Sequence, residues 1–279
     1  MACGGPYFSK MLLNAIYFAV SKFISPPENA RYENGMSFRH RFEGYLHGDG
    51  SRALFRSETT TVQALLVVAD ALFTWCDERG LAWHYMGLAV SMIVDLGIHV
   101  EGPASHPGRH PSPENLEVRR RLFWTAFGTE YPYHRLRGGL SQLTYLEPVM
   151  DKVQSIYQGR PARLREMDNR VPAQFLGEYE ELEVFSTLTY SAAPCLLDRP
   201  TYGVSTFEQL CKLGVIVDRI LCKLYAERSS LQDPVELYHT SGLLQEELIG
   251  WRESLPAHLS IKLDSPGSAA ILPHTLALQ

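Results

Sequence analysis

Leu81-Ala82-Trp83-His84-Tyr85-Met86-Gly87-Leu88-Ala89-Val90-Ser91-Met92-Ile93-Val94-Asp95-Leu96-Gly97-Ile98-His99 leads through a Pro/Gly/His loop to Glu117-Val118-Arg119-Arg120-Arg121-Leu122-Phe123-Trp124. Ala82, Met86, Ala89, Val90, Ile93 and Leu96 recur at helical spacing and form one apolar stripe. Gly97 stands where a helix C-cap glycine would stand. The second run opens with Glu114 and Glu117 and turns basic and apolar, which suits the positive end of a new helix dipole. The stretch predicts a buried helix, a polar loop over 98–113 and an amphipathic helix over 114–127. Its residue chemistry is structural and names no function by itself.

The same periodicity extends in both directions. Upstream, Ser57 is placed to cap a helix from Glu58 to about Glu78, striped by Val62, Leu65, Leu66, Ala69, Leu72 and Phe73. Arg79-Gly80 is expected to close it, so two long helices joined by about two residues pack antiparallel. Earlier, Tyr7 to Ile24 reads as a helix stopped by Pro26-Pro27, and Met36 to His47 as a weaker one ended by Gly48-Asp49-Gly50. Downstream, Gly128 to Val149 has no sustained period and contains Pro132, Gly138-Gly139 and Pro148. Val153 to Tyr157 reads as helical, stopped by Gln158-Gly159-Arg160-Pro161. Residues 162–204 read as irregular, with an acidic run at Glu178 to Glu183. Thr206 or Ser205 is expected to cap a helix from Phe207 to about Glu227, with Leu210, Leu213, Val217, Ile220, Leu221 and Leu224 as its stripe. Pro234 suits the first turn of a last helix reaching Ser254. No strict alternation and no repeat of solenoid length occurs. The fold class is therefore all-α, a multi-helix arrangement of antiparallel packed helices.

Composition narrows the function. The chain has 279 residues, 45% of them apolar, enough for one large core or two small ones. A net charge of −5 supplies no global attraction to nucleic acid, and three consecutive arginines are too short a run to do so. The five cysteines are scattered, without a Cys-x-x-Cys pair, which fits a reduced intracellular compartment better than a zinc site or a disulfide framework. No apolar run reaches the length of a membrane span, so no membrane partner is expected.

No catalytic, cofactor-binding or metal-ligating residue emerges, and a ligand-binding set cannot be named. His84 and His99 lie on or beside apolar helices and read as core or cap histidines. His106 and His110 sit in a Pro/Gly loop, without the rigid face of a helical metal pair. Glu178, Glu180, Glu181 and Glu183 read as a solvated acidic loop, and Gly159-Arg160-Pro161 as a helix stop. Trp83, Tyr85, Phe123, Trp124 and Trp251 occupy helical positions expected in a core, with a ligand cavity between helices as the competing use.

Several pieces, in their order along the chain, resemble the middle homology region of fungal zinc-cluster transcription factors. They are Thr59 to Leu66, Ala82 to Ala89, Asp95-Leu96-Gly97-Ile98-His99, Glu117 to Trp124, Asp151-Lys152, Tyr157 to Pro161, Asp168 with Val171-Pro172, and Trp251 to Pro256. The resemblance covers roughly residues 8 to 260 and lies near the nitrogen-metabolism regulators. It implies that residues 1–279 are a non-enzymatic all-α regulatory domain in the nucleus, modulating transcription by RNA polymerase II. Such a domain acts on an attached six-cysteine, zinc-binding DNA module. It also implies a protein co-regulator, a small effector or a second copy of the chain as partners. The rival reading is an all-α small-molecule-binding protein or enzyme unrelated to transcription. A third is a non-functional product.

Two departures from that pattern carry expectations. Cys3 is the only cysteine before Cys76, so the family's zinc ligands map onto no residue here, no cofactor is expected in this chain, and DNA would be reached only through a module it lacks. The chain also stops within an apolar run at Leu276 to Gln279, as a truncated product would. The second departure is residues 128–149, which separate a tryptophan and an aspartate (Trp124, Asp151) that the family places close together. Gly128-Thr129 can be encoded with a splice donor, Leu143-Thr144 with a branch-point-like sequence and Pro148-Val149 with an acceptor. A retained intron is the expectation, with a real surface loop as the alternative, and its excision would join Phe127 through a valine to Met150. Finally, Asp95 stands at the negative end of its helix, where a carboxylate is disfavoured. At least one of Arg119 to Arg121 is expected to pair with it or with another carboxylate across the helix packing, with a solvated arginine face as the alternative.

Overall fold

The computed structural model describes residues 5–21, 28–48, 51–74, 76–100, 112–128, 152, 155, 159–166, 170–184, 200–225, 233–260 and 278, with side chains omitted at 28–34 and 178–179. They form α1 (Lys10–Val20), α2 (Glu28–His47), α3 (Thr59–Thr74), α4 (Arg79–Asp95), α5 (Pro113–Phe127), α6 (Glu178–Glu181), α7 (Gly203–Leu224) and α8 (Pro234–Glu253). Among the described residues, β pairing is limited to an isolated bridge between Val184 and Pro200. The fold is all-α. It divides into two compact units, Met1–Ala126 with Asn169–Val171, and Phe127–Asp168 with Pro172–Gln279.

In the first unit α3 lies at the centre, packed against α1 and α4, while α1 also packs against α2. Val62, Ala64, Leu65, Leu66, Val68, Ala69, Ala71 and Leu72 are all buried, so α3 is enclosed on more than the one face its stripe predicted. Ala82, Met86, Ala89 and Ile93 of α4 are likewise buried, as are Phe123 and Trp124 of α5. Truncating one such side chain costs about 2–5 kcal/mol, because the cavity does not fully close.

Several boundaries differ from the sequence expectation, each for a local reason. α1 begins at Lys10 rather than Tyr7, because the Ser9 hydroxyl accepts the Leu12 N–H at 3.0 Å and sets the cap there. α2 begins at Glu28, eight residues before Met36; Glu28 to Gly35 carries no apolar stripe by which to see it. α3 stops at Thr74, and the turn into α4 falls before Arg79, with Asp77 at φ 54°. Gly80 is thus in the first turn of α4 rather than closing α3. The Ser57 cap gives way to Glu58, whose carbonyl accepts from Thr61 and Val62.

The end of α4 follows the reading of Gly97 closely. Gly97 has φ 61°, its N–H reaches the Val94 carbonyl at 3.0 Å, and the Ile98 N–H reaches that of Ile93 at 3.0 Å. These two bonds are the Schellman closure, and the apolar residue after the glycine packs back on the helix. Ile98 is accordingly buried at 3% exposure, although it opens a stretch that reads as too polar for core.

In the second unit α7 packs on α8. Leu210, Leu255, Leu259 and Leu278 form an apolar cluster flanked by Tyr202 and Trp251. Asp233 caps α8, accepting the Val235 N–H at 3.0 Å, with Pro234 at the first turn as expected. α7 starts at Gly203, earlier than Phe207, and neither Ser205 nor Thr206 is its cap residue. Its buried face also differs: Cys211, Gly214, Ile216 and Asp218 are enclosed, whereas Leu213, Val217, Ile220 and Leu224 are half-buried. A Cβ on Gly214 would lie 3.6 Å from Gly128 Cα and 3.8 Å from the Phe127 ring, so this face takes small residues where the end of α5 approaches. Gly159 has φ 62°, and the Arg160 N–H reaches back to the Ser155 carbonyl at 3.2 Å. The rest of the expected helix at Val153 to Tyr157 lies outside the described residues, as does nearly all of the 128–149 segment.

Candidate functional site

The corner between α4 and α5 holds the sequence's diagnostic arginines. Arg119 donates through Nη2 to the carbonyls of Leu96 at 3.0 Å and Gly97 at 2.9 Å. A guanidinium thus sits on the negative end of α4, satisfying carbonyls that lack an intrahelical partner. The predicted cation is present, but it binds the backbone and not Asp95, which is exposed and solvated. Arg121 pairs with Glu117 at 2.7 Å, one turn along α5. His84 is exposed on α4, not a core histidine; His99 is half-buried, with its backbone carbonyl accepting the Arg170 N–H at 3.1 Å.

At the opposite rim of this unit Arg39 of α2 grips Glu78, the residue before α4. The contact is bidentate, with Nη2 to Oε2 at 2.7 Å and Nη1 to Oε1, while Nε reaches Glu43 at 2.9 Å. Hydrogen bonding from Arg39 outweighs burial and lowers the Glu78 carboxyl below its ordinary value. Burial, then the nearby Glu43 charge, raises the Tyr85 phenol.

The second unit gathers a denser ionic cluster. Lys152 is fully enclosed, its ammonium 2.6 Å from Asp218 Oδ1, donating also to the Leu164 carbonyl and standing 4.4 Å from the centre of the Phe127 ring. Asp218 Oδ2 accepts the Glu166 N–H at 2.7 Å. The next residue on α7, Arg219, donates to both oxygens of Glu166, one at 2.6 Å, and to Glu247 of α8. These carboxylates, Glu166 foremost, raise the Arg219 pKa. Two ions withdrawn from water are tolerated only when the remaining donors and acceptors are met, as they are here. Lys152 was legible as part of a motif; Asp218, Glu166, Arg219 and Glu247 were not singled out.

A serine, a histidine and a carboxylate also meet, at the start of α7. Ser205 Oγ lies 3.0 Å from His258 Nε2 and donates to Glu181 Oε1 at 2.5 Å. Glu181 Oε2 accepts the Val204 and Ser205 N–H groups, each at 3.0 Å. A nucleophilic triad needs the acid on the far nitrogen of the histidine, orienting it toward the serine. Here the carboxylate binds the serine itself and lies 3.7 Å from the same Nε2, so the arrangement caps a helix. Glu181 is therefore an anchored cap, which corrects its reading as part of a solvated loop.

Residues 16–130, from within α1 to just past the end of α5, match the fungal specific transcription factor domain family. That stretch of the chain is similar to the family's domain. Similarity reaches beyond that domain. The nitrogen assimilation transcription factor nirA of Emericella nidulans is 24% identical over 91% of this chain and 26% of its own length. Cutinase transcription factor 1 beta of Fusarium vanettenii is 22% identical over 97% of this chain and 30% of its own. An ABC-transporter-regulating transcription factor of Aspergillus fumigatus is 23% identical over 60% of this chain and 15% of its own. The chain thus spans roughly a quarter of the length of the first two relatives. No solved structure matches.

Within residues 16–130, the motif residues Trp83, Tyr85, Phe123 and Trp124 are core. Trp251, in the second unit, flanks the leucine cluster, and its buried Nε1–H has no hydrogen-bond partner. His106 and His110 lie outside the described residues. The family's zinc does not fit the donors described: Cys76 is in the first unit, and Cys211 and Cys222 stand three turns apart on α7. Burial raises both α7 thiols, Cys211 strongly, which opposes the thiolate that zinc requires. Among the described residues no cluster of three or more candidate ligands occurs.

Proposed function

We propose that this chain is a non-enzymatic regulatory segment of a fungal transcription factor, modulating RNA polymerase II transcription in the nucleus through an attached DNA-binding module. The match of residues 16–130 to the transcription factor domain carries this reading. The geometry agrees with it. Charged side chains are spent on helix caps and ion pairs, and the Ser205–His258–Glu181 meeting is mis-wired for acyl transfer. No helix among the described residues is long and apolar enough to cross a membrane. In this reading the chain needs no cofactor of its own. A protein co-regulator, a small effector or a second copy of the chain biases its conformation, and DNA is reached only through the attached module.

The test is a fusion of the whole chain to an unrelated DNA-binding module in a fungal reporter strain. Reporter output should differ from that of the module alone at equal protein level. Equal output from an expressed, folded fusion contradicts the reading, and substrate turnover by the isolated chain would favour the rival enzyme.

A further inference from the structure

The two flanks of residues 128–149 meet through Phe127 and Lys152. Phe127, the last residue of α5, is fully buried. Lys152 is helical and fully buried, with its ammonium 4.4 Å from the centre of the Phe127 ring. Ser155 is helical and buried, and the Arg160-to-Ser155 backbone bond at left-handed Gly159 closes that helical piece. Side chains three or four places apart on a helix meet in this way. The intervening sequence opposes a helix, with Pro132, Gly138-Gly139 and Pro148. The match to the family also stops at residue 130, just inside it.

We propose that residues 128–149 interrupt a single helix, and that a form of the chain in which one valine replaces them is the form for which the second unit's ionic core is built. In that form Lys152 stands four places after Phe127, and Ser155 seven. Phe123, Phe127, Lys152 and Ser155 then fall at i, i+4, i+8 and i+11, on one helix face, and all four are buried in the present chain. The joined helix would run from Pro113 to the stop at Gly159. It would deliver Lys152 to Asp218 by helical register, where the present chain must bring it back across the closure of a long segment.

Three proteins test this: the full chain, the chain with Phe127-Val-Met150 in place of 128–149, and one with Phe127 joined directly to Asp151. The last puts Lys152 two places after Phe127, on the far side of the helix. Melting followed by circular dichroism should place the valine-joined protein about 5 °C or more above the full chain. The direct junction should melt below both or aggregate. A valine-joined protein that melts no higher than the full chain, or aggregates, overturns the proposal. Equal melting of the two shortened proteins overturns it as well, because a plain surface loop has no register.

Discussion

The two units are held together by opposite means. The first encloses a mostly apolar helix, α3, with a single carboxylate, Asp70, buried on it, while Arg39 grips Glu78 and Arg119 closes the end of α4. The second places charge inside, with Lys152 and Asp218 nearly inaccessible, and a smaller leucine cluster beside α7. An apolar core tolerates adjustment but loses stability with each atom removed. A buried ion pair adds little net stability, yet half of it left alone is severely destabilising.

The sharpest way to break this contrast is at Asp218. Asp218→Ala leaves the Lys152 ammonium buried and uncompensated, and should cost about 3–5 kcal/mol in urea denaturation. The double change Lys152→Met with Asp218→Leu should recover most of that loss. A double variant as unstable as the single one would show that the pair is not the source. In the first unit Leu72→Ala should cost about 2–5 kcal/mol, with no second substitution able to restore it so simply. At the rim, Arg119→Met should cost about 1.5 kcal/mol, the worth of charge-assisted bonds to two carbonyls, while Asp95→Asn should change stability little. Equal losses from the two would return Asp95 to the role of partner.

The smallest expected effect depends on pH. Glu78 has its carboxyl lowered by Arg39 in the folded chain, so its contribution is complete above its unfolded value of about 4.3 and disappears as pH falls through the lower folded value. The stability difference between the wild type and Glu78→Gln should therefore be visible at pH 7 and shrink below about pH 4. A difference that does not shrink as the pH falls would place the contribution elsewhere.

The contrast also explains what could be read in advance. Apolar periodicity reports burial by hydrophobic contact, so α3, α4 and the Gly97 stop were legible, and so was the all-α class. It says nothing about enclosed charge. Asp218 lies on α7 in line with Cys211 and Gly214, at i−7 and i−4, a row of small residues that the stripe of leucines and valines hid. Small side chains at helical spacing beside a carboxylate were the available signal of close approach. The Arg119 cap was half legible: the dipole argument supplied the cation, but its acceptors were backbone carbonyls, which every sequence has and none displays. Glu181 was missed for a related reason. A capping residue contributed from outside the helix leaves no pattern at the helix start.

The claim that this is a regulatory segment meets its most direct test in the reporter output of the chain fused to an unrelated DNA-binding module, compared with Leu72→Ala and with the Lys152→Met/Asp218→Leu pair. The account predicts an output distinct from the module alone, abolished when the transcription factor domain is destabilised by Leu72→Ala and kept by the folded double variant. An output identical to that of the module alone in every fusion would contradict it.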